Sequence, residues 1–437
     1  MSDLLAIGAS GLRAYRAALN AVGDNVANAQ TEGYTRRSVR ISEVSVGGAP
    51  SVLYRNQTRF DGADIGAVVR AADSFRTADA RATAADHGGA QAVASWLTNA
   101  ERALGSAIGP ALSTAFANGD RLAADPVSPA SRARFLAGID AAASAIRTSA
   151  GDLARVADGL GDAALAGVDA ANADFNALAS VNLAIRRQPQ GTSAFVELED
   201  QRDRLVDAIA TRTGANATIA ADGSVKVTHG ATVLVALGTA TPLGMTRSSD
   251  GRIAYATAAG ALPLGGALGG LHAASGTIAD RRTGLDDLAS RFATAINDWH
   301  ANGRTPAGNA GPPLLVATGG AVALTALSDN PADVAAASGS TANGNALALS
   351  AVRTASGVEA SAALIVAQQA AQTAAARQAE ALSGDRRDGA AAARDAVEGV
   401  DLDREAADLL RFQQSYQGAA RVIQAAKDIV DTILAIR

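Results

Sequence analysis

The sequence predicts a mainly α-helical protein with one small inserted β domain, in which the helices at the two ends of the chain pair as a coiled coil. Two seven-residue series of apolar side chains, one at each end, predict the paired helices. Short β-branched runs separated by Asp-Gly steps, within residues 213–270, predict the β domain. The composition agrees, because 48% hydrophobic but only 3% aromatic residues suit long helices that pack closely.

The N-terminal helix carries the first seven-residue series. Its large residues are expected to form a seam against a partner helix; they are Leu5, Leu12, Leu19 and Val26, with Tyr15 and Val22 at the intervening positions. A polar break follows between Asn25 and Gly33, and residues 38–42 alternate as in a strand. Residues 51–70 are expected to be extended or irregular, with a turn at Asp61 and Gly62.

The middle of the chain reads as helical from about residue 71 to residue 211. Breaks are expected at Gly109-Pro110, at Asp125-Pro126 and within residues 188–191. Residues 195–209 alternate acidic and basic side chains, which predicts a solvated, ion-paired helix face.

Helix is expected to return after the β domain. The glycine-rich run at residues 265–270 is interpreted as a domain hinge, followed by a helix over 271–301 and a long loop over 303–340. A further helix over 360–382 and a loop over 383–389 lead to the C-terminal series.

The C-terminal helix repeats the pattern of the first helix. Its seam residues are Leu402, Leu409, Phe412, Tyr416, Ile423, Val430 and Ile433. The small residues Gly8, Ala419 and Ala426 also belong to these seams, so the contact within one chain is expected to be thin. We therefore expect the ends to be loose in the monomer and to become ordered on assembly.

These patterns predict a discontinuous domain organisation. Residues 1–70 plus 395–437 are expected to form a terminal coiled-coil domain, 71–212 plus 271–394 a helical domain, and 213–270 the β domain.

The chain offers little of the chemistry that an enzyme needs. It has no cysteine, and its four histidines share no metal-ligand spacing, so neither a catalytic site nor a cofactor or metal site is expected. A net charge of -5 does not favour nucleic acid or anionic lipid. The N-terminus does not resemble a cleavable signal, and no segment is expected to insert into a membrane.

Short motifs at both ends carry a resemblance to a known family. The N-terminal block, which includes Asn25, Asn28, Gly33, Tyr34, Thr35 and Arg36, resembles the signature of flagellar rod, hook and hook-associated axial proteins. The C-terminal element around Phe412, Gln413 and Gln414, with the internal run from Leu198 to Leu205, is similar to the hook-associated protein 1 branch of that family.

The resemblance implies a structural subunit at the junction between hook and filament. It also implies a layered architecture, with the terminal coiled-coil domain in the inner layer, the helical domain outside it and the β domain outermost. Its expected partners are further copies in a helical layer, hook protein, a second junction protein (hook-associated protein 3) and a flagellar export chaperone. Its expected location is the extracellular flagellum, reached without a cleaved signal. A rod or hook protein and an unrelated coiled-coil scaffold are the alternatives; a catalytic insertion within 213–270 is disfavoured because that stretch is small and poor in titratable residues.

Overall fold

The computed structural model describes residues 2–31, 33–43 and 62–435 of the chain. Glu32 and the predicted extended stretch 51–61 lie outside these residues. The chain folds into two compact units. Unit 1 comprises Met1–Ala85, Ala171–Pro242 and Gly384–Arg437, and unit 2 comprises Asp86–Ala170 and Leu243–Ser383.

Helices make up most of the described residues, which confirms the predicted mainly helical fold. Their bounds, in chain order, are α1 Ser2–Ala27, α2 Ser74–Leu104, α3 Ile108–Ala124, α4 Pro129–Ile185, α5 Ser193–Thr213, α6 Gly266–Ala301, α7 Gly344–Ser356, α8 Val358–Glu398 and α9 Leu402–Ala435. Two short 3-10 helices lie at Ala321–Ala323 and Pro331–Asp333.

The strands form small antiparallel sheets. β1 (Arg37–Glu43) pairs with β2 (Ala63–Arg70), with Arg37 opposite Arg70. The predicted β stretch yields two sheets, because β3–β6 form one in order and β7–β9 form another. Their bounds are β3 Asn216–Ile219, β4 Val225–His229, β5 Thr232–Ala236, β6 Thr239–Ala240, β7 Gly244–Arg247, β8 Ile253–Thr257 and β9 Gly260–Ala261, and a last hairpin joins β10 Leu315–Val316 to β11 Thr325–Ala326.

The division of the strands between the units differs from the predicted domains. The β3–β6 sheet belongs to unit 1 and the β7–β9 sheet to unit 2. The three-domain organisation therefore stays a prediction.

Each unit has its own apolar core. In unit 1, Val181, Ile185 and Phe195 pack together, with Leu198 and Leu205 against them. In unit 2, Phe135 meets Trp299 edge to face with ring centroids 5.4 Å apart. Such aromatic pairs add to the stabilisation that burial alone provides.

One predicted helix break is displaced and another is wrong. The break between α2 and α3 falls at residues 105–107, just before the predicted Gly109-Pro110. Gly109 and Pro110 lie in the first turn of α3, where proline is tolerated because its missing N–H has no helical partner. The loop predicted over 383–389 is helical within α8. Its two glycines each cost about 1 kcal/mol relative to alanine, which the strong helix formers on either side offset.

The glycine run after the β strands is a helix crossing instead of a hinge. α6 begins at Gly266, so most of the run is helical. A Cβ atom on Gly270 would lie 2.3 Å from the carbonyl oxygen of Gly89 in α2. Glycine at this position therefore allows two helices of unit 2 to approach closely.

Candidate functional site

The two terminal helices pack against each other, as predicted. Gly8 of α1 lies opposite Ile423 of α9, and Gly11 lies opposite Ala419. At the other end of the pair, Asn25 contacts Glu405. The helices are therefore antiparallel.

The buried positions of α1 are mostly small residues, and Gly8 and Gly11 among them lie against α9. These positions are Gly8, Ser10, Gly11, Ala14, Ala18, Ala21, Val22 and Asn25. Most of these buried residues come one position before a residue of the predicted series. At Gly8 the close approach needs a residue without a side chain, because Ile423 of α9 fills the space that a Cβ atom would take.

The predicted seam residues consequently separate into two groups. Half-buried or buried ones are Leu12, Tyr15, Leu19 and Val22 on α1 and Leu409, Phe412, Ile423 and Val430 on α9. Exposed ones are Leu5 and Val26 on α1 and Leu402, Tyr416 and Ile433 on α9. The side chains of this second group keep between 37% and 55% of their surface exposed.

The C-terminal end of α1 carries a buried polar node, which we define as Asn25, Tyr34, Arg36, Arg37 and Glu405. The Asn25 side chain donates to Glu405 Oε2 at 2.9 Å and to the Arg37 carbonyl at 2.8 Å. Its Oδ1 accepts from the Tyr34 hydroxyl and from the Arg37 N–H, both at 2.9 Å. All four hydrogen-bonding positions of this amide are therefore satisfied.

Glu405 is the anionic centre of the node. Its side chain is 0% exposed and receives Arg36 Nε at 2.7 Å, while Arg36 Nη2 reaches Asp408 at 3.2 Å. A buried carboxylate of this kind needs a charged partner and hydrogen bonds to remain ionised. The node thus ties the start of α9 to the end of α1 and to the segment leading into β1.

Tyr34 completes the node electrostatically. Burial raises the pKa of Tyr34 to about 12, and the nearby Arg37 guanidinium only partly offsets this effect. The guanidinium of Arg37 also lies 4.9 Å from the centre of the Tyr34 ring, in cation–π range. The hydroxyl therefore stays protonated and donates to Asn25 at physiological pH.

The remaining motif residues surround the node or lie apart from it. Thr35 is buried and accepts from Arg70 Nη2 at 2.9 Å. Gly33 has a φ of +73°, and a Cβ atom there would lie 2.7 Å from Arg204 Cγ. Asn28 bonds the Asp24 carbonyl at the end of α1. Gln413 and Gln414 are exposed on α9, away from the node.

Sequence reasoning missed the part of the node that comes from α9 and misread the charges of α5. Glu405 precedes Leu409 and Phe412 by four and seven residues, so a charge on the seam face was the available signal. The α5 charges were expected to be solvated, yet Asp200 is 4% and Arg202 2% exposed. Asp200 pairs with Arg37 of β1 and Arg70 of β2, whereas Arg202 pairs with Asp203 of its own helix and donates to the Gly223 carbonyl at 2.6 Å.

The fold and the node define a class of protein. Every polar side chain of the node is bonded to another part of the chain, and these bonds hold the two ends together. Among the described residues, no group of three or more histidine, aspartate or glutamate side chains could hold a metal ion. The arrangement is that of a mainly helical protein whose two ends are paired and held together.

Comparison with known families identifies this class more closely. The protein-family model described as flagellar hook-associated protein FlgK helical domain matches residues 97–315, which are half of the chain. The flagella basal body rod protein model matches residues 5–35, and the flagellar basal body rod FlgEFG protein C-terminal model matches residues 396–436. The chain belongs to the family of the flagellar hook-associated protein FlgK.

One similar solved structure is that of the flagellar hook junction protein FlgK from Burkholderia pseudomallei. It shares 21% sequence identity with this chain at a TM-score of 0.49. The match covers 55% of this chain and 46% of that protein, so the chain spans about half the length of this relative. A search of curated proteins finds no match.

Proposed function

We propose that this chain is a structural subunit of the bacterial flagellum that forms the hook–filament junction, on which the filament assembles. The observation that supports the proposal is the match of residues 97–315 to the FlgK helical domain, with both ends matching models of axial proteins. The buried node also supports the proposal, because it holds the two ends of the chain together within one subunit.

The surfaces proposed for assembly are the apolar residues that the helix pair leaves exposed. Val26 is 46% exposed on α1, and Leu402 and Ile433 are 55% and 49% exposed on α9. Apolar side chains lined up along a helix pair are suited to burial against further helices. We assign them to contacts with neighbouring copies in a helical layer, and the half-buried seam residues to the pairing within each copy.

The proposed partners follow from a position between hook and filament. They are hook protein on one side and the second junction protein, hook-associated protein 3, on the other, with an export chaperone before assembly. The proposed location is outside the cell, reached through the flagellar export route. No catalytic activity, nucleic-acid binding or bound cofactor forms part of the proposal.

Within the described residues, one helical stretch has the length and composition of a membrane span. It lies in Gly344–Ala435 and reaches a mean hydropathy of 1.2 over an 18-residue window, 22% of which is buried. Length and composition alone are weak evidence, since alanine-rich helices of an assembly have the same character. We propose that neighbouring subunits, not lipid, cover this stretch.

A rod or hook protein is the second candidate. The matches of residues 5–35 and 396–436 favour it, because they are to rod-type models. The helical-domain match between them favours the junction protein. An unrelated coiled-coil scaffold would account for the seven-residue series but not for any of the three matches.

Deletion of the gene in the source bacterium, with flagellin assayed in the medium, tests the proposal. Hooks without filaments and flagellin lost to the medium support the junction role. Loss of the hooks themselves would support the rod or hook alternative, and normal filaments would refute both.

Complementation of the deletion tests the assembly surface. Val26→Asp places a charge on the exposed edge of α1, and Val127→Asp places the same charge at a valine that is 73% exposed in unit 2. We expect the Val127 variant to restore filaments and the Val26 variant to fail, although circular dichroism shows it folded. Equal restoration by both variants would remove this edge from the proposed interface.

A further inference from the structure

The segments that connect to the terminal helices meet on one face of α5. Asp200, Asp203 and Asp207 are spaced three and four residues apart, so their carboxylates share that face. Four arginines from other elements pair with them; these are Arg37 of β1, Arg70 of β2, Arg81 of α2 and Arg394 of α8. All of these residues belong to unit 1.

The charges alternate in a continuous row that begins at the most buried end. Arg37 Nη2 lies 2.7 Å from Asp200 Oδ2, and Arg70 Nε lies 2.9 Å from Asp200 Oδ1. The same Arg70 places Nη1 2.8 Å from Asp203 Oδ2. Arg70 therefore bridges the first two aspartates.

The row continues toward the surface with a second bridging arginine. Arg81 places Nη2 3.3 Å from Asp203 Oδ1 and Nε 2.5 Å from Asp207 Oδ1. Arg394 Nη1 ends the row, 3.0 Å from Asp207 Oδ2. Because Arg70 and Arg81 are each shared, every aspartate affects two of the attached segments.

Burial makes the inner part of this row sensitive to the loss of one charge. The side chains of Asp200 and Arg70 are 4% and 9% exposed, whereas Asp207 at the outer end is 36% exposed. Removing one partner of a buried pair leaves an uncompensated charge, which is far more costly than losing an exposed pair. Burial also protects the inner pairs from screening by salt.

We propose that the acidic face of α5 is an electrostatic clamp that makes β1, β2, the start of α2 and the end of α8 open and close as one unit. β1 follows α1 in the chain, and α8 precedes α9, so the clamp holds the connectors of both terminal helices. It thereby fixes where the helix pair attaches to the rest of unit 1. This conformational role is independent of which flagellar position the subunit occupies.

Hydrogen exchange of the full-length chain, measured by mass spectrometry, tests the clamp. Asp203→Asn removes the carboxylate that both bridging arginines share. We expect exchange in residues 37–43, 63–70, 74–85 and 390–398 to accelerate together by at least about a hundredfold, the lower end of the scale for breaking a buried pair. Exchange in α6 of unit 2 should be unchanged. Acceleration confined to α5, or none, would overturn the proposal.

Asp207→Asn provides a second, milder variant in case the first fails to fold. Asp207 is 36% exposed, and its loss leaves Arg70 paired with both remaining aspartates. Residues 63–70, 74–85 and 390–398 should therefore again accelerate together, but by a smaller factor than in the Asp203 variant. Asp222→Asn is the matched control, because Asp222 pairs with Arg186 in unit 1 at the surface, with side chains 44% and 46% exposed. Equal changes in the Asp207 and Asp222 variants would also overturn the clamp.

Discussion

Replacing Asn25 by aspartate tests the buried node with a change of only one atom. The new carboxylate keeps the shape of the amide but cannot donate a hydrogen bond. The variant therefore lacks the hydrogen bonds that the Asn25 amide donates to Glu405 Oε2 at 2.9 Å and to the Arg37 carbonyl at 2.8 Å. It also places a second negative charge beside a side chain that is 0% exposed.

The expected cost follows from these two changes. Two like charges about 4 Å apart repel by about 4 kcal/mol at an effective dielectric constant near 20. The two lost hydrogen bonds contribute about 1 kcal/mol each, and proton uptake by the pair limits the total. We expect the free energy of unfolding of unit 1 to fall by about 3–5 kcal/mol at neutral pH.

The destabilisation caused by Asn25→Asp should depend on pH in a definite direction. Repulsion from Glu405 raises the pKa of the introduced carboxyl in the folded chain above its unfolded value. The destabilisation is therefore fully present above the folded pKa and is relieved as the pH falls through it. The difference between the variant and the wild type should shrink on acidification.

Hydrogen exchange in residues 34–43 and 402–412, together with urea unfolding followed by circular dichroism, measures this effect. Asn20→Asp is the matched control, since it makes the same change on an exposed position of α1. If both variants exchanged and unfolded alike at pH 7, the node would not hold the ends together and the reasoning would be wrong.

Three further predictions concern packing, pH and a strand contact. Gly8→Ala should weaken the helix pair, because its Cβ atom would lie 2.5 Å from an isoleucine of α9. Gly23 has open space around it, so Gly23→Ala should raise the free energy of unfolding by about 0.5–1 kcal/mol. Thermal unfolding compares the two variants. Burial lowers the pKa of His300, whose Nε2 accepts a hydrogen bond from a backbone N–H. The stability of unit 2 should therefore be fully present above about pH 6.5 and decline below it. Denaturant titrations of His300→Gln should show no such decline. Asn182, which is 0% exposed, bonds both the N–H and the carbonyl of Val225, so Asn182→Ala should lower the free energy of unfolding by about 2–4 kcal/mol and speed exchange in β4; an unchanged β4 would contradict this role.

Periodicity and turn chemistry were sufficient for much of the fold. The seven-residue series predicted both terminal helices and their pairing, and the Asp-Gly step before Ser224 predicted the β3–β4 hairpin. These signals are local, since they depend on residues close together in the chain.

The errors came from properties that depend on distant residues. At Gly8 of α1 the close approach needs a residue without a side chain, because Ile423, from the other end of the chain, fills the space. Asp200 looked solvated because alternating charges usually are, and its buried partners come from β1 and β2. The node likewise needed Glu405, whose distance from Asn25 along the chain no local pattern can reveal.

Immunogold electron microscopy of hooks and filaments isolated from the source bacterium tests the central claim most directly. With an antibody against this chain, we expect label at the boundary between hook and filament. Label along the rod or the hook, or none on the flagellum, would contradict a junction subunit.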